Sequence, residues 1–293
     1  YSTLMKGSAA ISDPDRAMSL YEDMRRSGVP SNQVVYTALI SACARAGQMR
    51  RAEAAVSSMI ADGWKPNTIT YSVIIHGYCV RGDILSAMAI FQKHFDNGAS
   101  ADCVLFNTLL GCCVRRSKWE LAQSLLDMMR RHGVQQSNFT ISIVVNMWSK
   151  KGLLNKAIDT VYEALRTPHG GQGPLVDAHV LNILLSACFR NRAPARALEV
   201  FADMKTWGSF AGPSADAYST MVAGLTKHGH LREAAALAEE ACNALCAGDR
   251  RIALAPSVLR QLFSGLRAEG LMAEVGAPLE SKLGMARVFL AEG

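Results

Sequence analysis

The sequence lacks any apolar run long enough to cross a membrane. Its longest runs, such as residues 141–147, fall far short of the roughly 20 residues that a spanning helix needs. No Cys-x-x-Cys pair is present among the eight cysteines, so no zinc site is predicted. There is no low-complexity tract, and 49% of the 293 residues are hydrophobic, which excludes a disordered chain. The net charge of +6 permits a polyanionic partner without requiring one.

A five-residue pattern recurs along the chain. It reads Tyr-Thr-Ala-Leu-Ile from Tyr36, and similar copies follow from Tyr71 and Phe106 at intervals of 35 residues. Other copies begin at Tyr1, Ile141, Leu181 and Tyr218, and a weaker one lies near Leu259. Recurrence at this period indicates an array of structural repeats.

Each copy has the pattern of a helical hairpin. In residues 33–67, apolar side chains recur at helical spacing on both sides of the turn residue Gly47. Gly63 then ends the second helix, and Pro66 prevents it from resuming. Two helices of about 13 residues per copy, without a strand signal, predict an all-α solenoid of stacked helix-turn-helix repeats.

The repeated segments resemble the pentatricopeptide repeat family. The family pattern Ala-x-x-x-Phe-x-x-Met is present from Ala197 to Met204, with related forms at 17–24, 52–59 and 122–129. The resemblance implies a right-handed α-α superhelix built from P-type repeats of about 35 residues. The repeats are predicted at 1–32 (partial), 33–67, 68–102, 103–137, 138–177, 178–214 and 215–255, with 256–293 as a degenerate eighth repeat and a C-terminal capping helix.

The resemblance implies that the fifth and last residues of each repeat together read one RNA base. The implied pairs are Ser2 with Asn32, Thr37 with Asn67, Ser72 with Asp102, Asn107 with Ser137, Ser142 with Asp177, and Asn182 with Ser214. By the family's code, a hydroxyl with Asn favours adenine, a hydroxyl with Asp favours guanine, and Asn with Ser favours cytosine. The implied preference is roughly 5′-AAGCGC-3′, and Ala255 at the end of the seventh repeat indicates that this repeat does not read a base.

Two further places of the repeat complete the predicted RNA surface. The resemblance implies that the second residue helps to sandwich the base, and this place holds Val34, Ile69, Val104 and Phe139 before His179 and Asp216 follow. Helical geometry puts places 2, 5, 9 and 13 on one face of the first helix. Place 13 holds five basic residues, which we interpret as a phosphate track: Arg45, Arg115, Lys150, Arg190 and Lys227.

Local roles are an alternative for these residues. Ser and Thr near helix starts can be N-terminal caps, Asn and Asp after proline can be turn residues, and cations suit the C-terminus of a helix dipole. Those roles do not explain why the paired places avoid apolar residues through six successive repeats. The longer loops at 166–174 and 207–213 are expected to be tolerated insertions, with a partner contact as the alternative.

The sequence predicts a binding protein without a cofactor. The deaminase signature of His-x-Glu with Cys-x-x-Cys does not follow Pro256, so no enzyme is expected. The resemblance implies sequence-selective binding of single-stranded RNA in a mitochondrion or chloroplast, for RNA processing, stabilisation or translation. The alternative is a structural subunit of an organellar ribosome or another large assembly, which contacts RNA backbone or ribosomal and other protein subunits by shape.

Overall fold

The computed structural model describes residues 1–96, 102–166, 175–207, 213–246 and 252–282, and every regular element within them is a helix. The helices are α1 (Ser2–Ala10), α2 (Pro14–Arg26), α3 (Gln33–Arg45), α4 (Met49–Ala61), α5 (Thr68–Arg81), α6 (Ile84–Asp96), α7 (Cys103–Arg115), α8 (Trp119–Arg131), α9 (Asn138–Lys150), α10 (Leu154–Arg166), α11 (Ala178–Arg190), α12 (Pro194–Met204), α13 (Ala215–Lys227), α14 (Leu231–Cys246) and α15 (Pro256–Ala268). A π-helical turn, Met272–Gly276, and a helical segment at 277–282 follow.

The chain forms two compact units, Tyr1–Gln135 and Gln136–Gly293. In the first unit, α1, α3, α5 and α7 pack successively on one another, and each also packs on the even-numbered helix that follows it. The second unit repeats this arrangement with α9, α11, α13 and α15. We call the odd-numbered helices first helices and the even-numbered ones second helices. The predicted all-α fold of stacked helix-turn-helix elements is confirmed.

The turn inside each hairpin requires a left-handed residue. Gly82 takes this conformation at the end of α5 with φ of 82°, which a residue without Cβ adopts at little cost. Gly47, which the sequence predicted as a turn residue, has positive φ as well, and so do Gly152, Gly229 and Gly270 in other hairpins. In three other hairpins a residue with a side chain takes this conformation, with φ of 54–56°: Ser12, Ser117 and Arg192.

The apolar motif of the second helix forms the contacts between hairpins. Ala197, Phe201 and Met204 are buried, and the Phe201 ring meets the edge of Tyr218 on the next first helix at 5.0 Å between centroids. Such a pair contributes roughly 0.5–1.5 kcal/mol beyond its buried area. The thiols of Cys113 and Cys188 are also buried, and burial raises the pKa of each to about 11. These cysteines are packing residues, because a thiol with a raised pKa is a poor nucleophile at neutral pH.

Tyrosine hydroxyls tie first helices to carboxylates on or just after second helices. Tyr36 donates a hydrogen bond to Asp62 at 2.5 Å, and Tyr218 donates one to Glu240 at 2.7 Å. Burial raises the pKa of Tyr218, and the bond to Glu240 raises it further, so the hydroxyl stays protonated and donates. The hydrophobic pattern did not predict these pairs, because a tyrosine at an apolar place satisfies it without a partner.

Some predicted features lie outside the described residues. These are most of the two inserted loops, at 167–174 and 208–212, and the distal part of the predicted capping helix, with Leu283, Ala286 and Leu290. The described start of that segment is helical, and its Leu279 is buried. Among the described residues, no helix has the length and apolarity to cross a membrane, and no group of three or more His, Cys, Asp or Glu is placed to hold a metal ion.

Candidate nucleic-acid interface

All six predicted last-place residues are N-terminal caps. Asn67 accepts a hydrogen bond from the backbone N–H of Thr70 at 3.0 Å, and Asp102 accepts one from Leu105 at 2.9 Å. The same bond is formed by Asn32 to Val35, Ser137 to Thr140, Asp177 to Val180 and Ser214 to Ala217. A local capping role is therefore present at this place for Asn and Asp as well as for Ser, although the local alternative for Asn and Asp was a turn residue. The cap also fixes each side chain at the start of a first helix.

Capping leaves reading atoms available in the first unit. The cap of α5 uses Oδ1 of Asn67, which also accepts from the Thr70 hydroxyl, and no described residue accepts a bond from its Nδ2. The cap of α7 uses Oδ1 of Asp102, and no described residue donates to its Oδ2. One donor on Asn67 and one acceptor on Asp102 thus remain for a ligand.

The fifth-place residues lie one turn inside the helices and do not cap them. Thr37 and Ser72 donate to the backbone oxygens of Gln33 and Thr68, both at 2.8 Å. Their hydrogens point back along the helix, so oxygen lone pairs remain as acceptors on half-buried side chains. Asn107 likewise turns its amide towards its own helix and donates to the Cys103 sulfur at 3.3 Å.

The corresponding residues of the second unit are more enclosed. Ser142 is buried, and its Oγ has no hydrogen-bond partner among the described residues. The Oδ1 of Asn182 is also buried and without a described partner. Asp177 accepts a second hydrogen bond, from Nδ2 of Asn138, at 2.6 Å. In these three residues, the polar atoms of the fifth or last place are therefore either buried or already hydrogen-bonded within the folded chain.

The second place exposes apolar side chains. Their exposed fractions are 42% for Val34, 61% for Ile69, 61% for Val104 and 64% for Phe139. A single exposed apolar residue needs no explanation, but three at the same place of successive repeats form a recurring feature of the first unit, and Phe139 has the same place in the second unit. His179 and Asp216 at this place are also exposed.

The five place-13 cations are exposed and form no ion pair with any described residue. Arg45 donates to the backbone oxygen of Ala9 near the end of α1 at 3.3 Å, which agrees with the helix-dipole alternative for this residue. Arg190 donates to the Ser149 hydroxyl at 3.1 Å. In repeat 68–102 the cation is Arg81, one place later, so the place-13 pattern does not include it.

The first helices carry the positive charge of the protein. The eight described first helices contain nine Lys or Arg residues and one carboxylate, Asp216, so their formal charge is +8, against +6 for the whole chain. On the described second helices, five cations form ion pairs, among them Arg26 with Asp23 and Arg130 with Asp127. Burial lowers the pKa of His76, and the charges of Arg115 and Arg45 lower it further. The first-helix face is therefore electropositive.

A groove in the second unit shows this charge on a concave surface. It has a volume of about 660 Å³ and lies between α11, α13 and α15. Arg190 and Lys227 line it together with the hydroxyls of Ser186 and Thr220. Two neighbouring cations together with hydroxyl donors are a suitable environment for a phosphate group.

Two sequence models of one family match the chain. The model described as PPR repeat family matches residues 1–45, 31–80 and 101–150, and the model described as PPR repeat matches residues 69–93, 179–209 and 216–241. Together these matches cover more than half of the chain and include segments in both units.

Several curated proteins of Arabidopsis thaliana are similar to this chain. A chloroplastic pentatricopeptide repeat-containing protein is 25% identical over 234 residues, which are 78% of this chain and 29% of the relative. A second pentatricopeptide repeat-containing protein is 26% identical and covered to 37%. A small ribosomal subunit protein, mL103, is 22% identical over 76% of this chain and 52% of its own length. The chain thus spans only part of each of these relatives.

Solved structures show the same fold. The crystal structure of the pentatricopeptide repeat protein PPR10 from maize aligns with 97% of this chain and 39% of its own, with a TM-score of 0.59 and 20% identity. PPR10 in complex with an 18-nt psaJ RNA element aligns with 96% of this chain and 45% of its own, with a TM-score of 0.53 and 19% identity.

Proposed function

Because the chain belongs to the pentatricopeptide repeat family, we propose that it binds single-stranded RNA and reads one base per repeat. The observation that carries this proposal is the repeated surface of the first unit. There, a capping side chain with a remaining donor or acceptor, a fifth-place hydroxyl and an exposed apolar side chain recur together. We keep the division into repeats with boundaries at 32, 67, 102, 137, 177, 214 and 255 as part of the proposal.

The chemistry of an unpaired base suits this surface. A base presents hydrogen-bonding groups at its edge and an apolar face above and below. In repeat 68–102, Ser72 and Asp102 offer oxygen acceptors for an edge, and Ile69 offers an exposed apolar surface for a face. Two acceptors match the donors at the edge of guanine. In repeat 33–67, Nδ2 of Asn67 can donate a hydrogen bond to an acceptor nitrogen of adenine.

The charge distribution supports contact with the RNA backbone. First-helix cations such as Arg115 and Lys150 have no ion-pair partner among the described residues, whereas some second-helix cations, such as Arg130, have one. Neutralising phosphates with such side chains releases counterions and makes binding depend on salt. The proposed RNA therefore lies along the first-helix face of each unit.

We propose the preference 5′-AAGCGC-3′ and a role in an organelle. Six letters recur by chance about once in 4,000 nucleotides, so a small pool of transcripts or additional contacts must supply further specificity. Organellar location is supported by relatives named as chloroplastic or mitochondrial. We propose RNA processing, stabilisation or translation as the process, by binding rather than by catalysis.

A second candidate function is that of a structural subunit of an organellar ribosome. It is favoured by the similarity to the ribosomal subunit protein mL103 and by the enclosed fifth- and last-place side chains of the second unit. Such a subunit would contact RNA by charge and shape, so its affinity would depend on salt but little on sequence.

Binding of the purified chain to 5′-AAGCGC-3′ within a neutral flanking sequence, and to scrambled versions of the same composition, distinguishes these candidates. Base reading predicts at least about tenfold tighter binding of the cognate sequence. Equal affinity with a steep salt dependence would favour the structural role. Equal affinity without salt dependence would contradict both candidates.

A further inference from the structure

We infer that Asn138 silences base reading by the fifth repeat, 138–177, by holding Asp177 in a closed hydrogen-bonded arrangement. This inference rests on the proposed function. It makes Asn138, at the first place of the repeat, a residue that determines specificity through its neighbour. The chain would then read five letters with a gap, 5′-AAGCNC-3′, where N is any base.

Both carboxylate oxygens of Asp177 are occupied. Oδ1 accepts from the backbone N–H of Val180 at 2.9 Å, and Oδ2 accepts from Nδ2 of Asn138 at 2.6 Å. In repeat 68–102, Asp102 forms the same cap with Oδ1, but its Oδ2 has no hydrogen-bond partner among the described residues. On Asp102, Oδ2 is the atom proposed to contact guanine. The corresponding Oδ2 of Asp177 already accepts a hydrogen bond.

The orientation of Asn138 is fixed at both ends of its amide. Its Oδ1 accepts from the backbone N–H of Phe139 at 2.9 Å, and its Nδ2 donates to Asp177. The reverse assignment would place an amide N–H against a backbone N–H and an amide oxygen against a carboxylate. A short hydrogen bond to an ionised carboxylate is among the stronger ones in proteins, so a base does not displace it easily.

The other reading group of the repeat is also withdrawn. Ser142 lies one turn after Asn138 on α9 and is buried, with a hydroxyl that has no described partner. Ser72, at the same place of repeat 68–102, is half-buried and donates back to Thr68. In repeat 138–177, the fifth-place hydroxyl is thus buried, and each oxygen of Asp177 already accepts a hydrogen bond.

The first place of the repeat distinguishes the two cases. It is Thr68 in repeat 68–102 and Asn138 in repeat 138–177. Thr68 forms no bond with Asp102 among the described contacts, and a threonine side chain is shorter than an asparagine. Exchanging asparagine for threonine at residue 138 thus transplants the first-place residue of the repeat in which Asp102 is open.

The test compares the wild-type chain with Asn138→Thr and Asn138→Ala on RNAs derived from 5′-AAGCGC-3′. One set varies only the fifth letter, and the matched set varies only the third letter, which Ser72 and Asp102 are proposed to read. Thermal unfolding followed by circular dichroism establishes that both variants are folded, and either variant suffices. Affinities are measured at one fixed salt concentration.

We expect the wild-type chain to lose about tenfold in affinity on changing the third letter but to vary by less than about twofold at the fifth. Both Asn138 variants should gain a preference of at least about fivefold for guanine at the fifth letter. A wild-type preference for guanine there equal to that at the third letter would overturn the inference, and so would variants that remain indifferent. Indifference of the wild-type chain at the third letter as well would overturn the proposed function itself.

Discussion

Asn67 caps helix α5 through a hydrogen bond of 3.0 Å from the backbone N–H of Thr70 to its side-chain oxygen, and it is also the last residue of its repeat. The same side chain therefore caps a helix and is proposed to contact a base. Capping selects Asn, Asp and Ser, and base reading needs the same small polar side chains. The two roles are compatible because the cap uses only one end of the Asn67 amide.

Removing this side chain should affect stability and RNA binding together. Asn67→Ala is expected to lower the free energy of unfolding by about 1 kcal/mol and to abolish selectivity for adenine at the second letter. Asp13 caps the second helix α2 by a similar bond of 3.0 Å from Arg16, so Asp13→Ala is the matched control. Chemical denaturation should give similar losses for both variants. If Asp13→Ala also lost its selectivity for adenine, the loss in Asn67→Ala would be an effect of lower stability and not of a missing base contact.

The charge of the first helices can be tested through salt dependence. Arg115→Gln should reduce the slope of log affinity against log salt by about 0.7, the value for one phosphate contact with a single strand. Arg130 is the control, because it lies on second helix α8 and pairs with Asp127 at 3.2 Å. Arg130→Gln should leave the slope unchanged. Equal slopes for the two variants would contradict a phosphate track on the first helices.

The exposed second-place residues should contribute to binding without contributing to folding. Ile69→Ala is expected to change the free energy of unfolding by less than about 0.5 kcal/mol because the side chain is 61% exposed. RNA affinity of Ile69→Ala should fall about fivefold, whereas Ile69→Phe should bind RNA as tightly as the wild-type chain or more tightly. Leu85, which is 78% exposed on second helix α6, is the control. An equal effect of Leu85→Ala on affinity would show that the second place has no special role.

His94 should make the fold sensitive to mild acid. It is buried at the place where Met59 and Met129 stand in other repeats, its ring lies 4.2 Å from that of Tyr71, and its Nε2 has no described partner. Burial lowers the pKa of His94, while the charge of Asp102 acts in the opposite direction. The folded state thus binds the proton less readily than the unfolded chain, whose histidine titrates near 6.5.

The sign of the effect follows from this difference. As the pH falls below 6.5, the unfolded chain takes up a proton that the folded chain does not, so the free energy of unfolding decreases until the lower pKa of folded His94 is reached. His94→Met should raise stability by about 1 kcal/mol at pH 7 and remove this part of the acid sensitivity. Urea denaturation at pH 5 and pH 7 measures both. An unchanged difference between the two pH values would contradict the assignment.

The sequence predicted the parts of this protein that depend on local chemistry. Helical spacing on both sides of Gly47 was sufficient for the hairpins, because apolar periodicity and a left-handed turn act within one repeat. Place 13 also identified exposed cations such as Arg115. Contacts between distant residues were not predictable in this way. The bond between Tyr36 and Asp62 joins side chains 26 residues apart, and the bond between Asn138 and Asp177 spans 39.

One exchange of residues tests base reading most directly. In the double variant Asn67→Asp with Asp102→Asn, both last places keep a good N-terminal cap, and composition and net charge stay the same. The family code then predicts that the preferred RNA changes from 5′-AAGCGC-3′ to 5′-AGACGC-3′. Affinity for both RNAs is measured for the wild-type chain and the double variant. We expect each chain to bind its own RNA at least about tenfold more tightly than the other. The same order of affinities in both chains would contradict base reading by these residues.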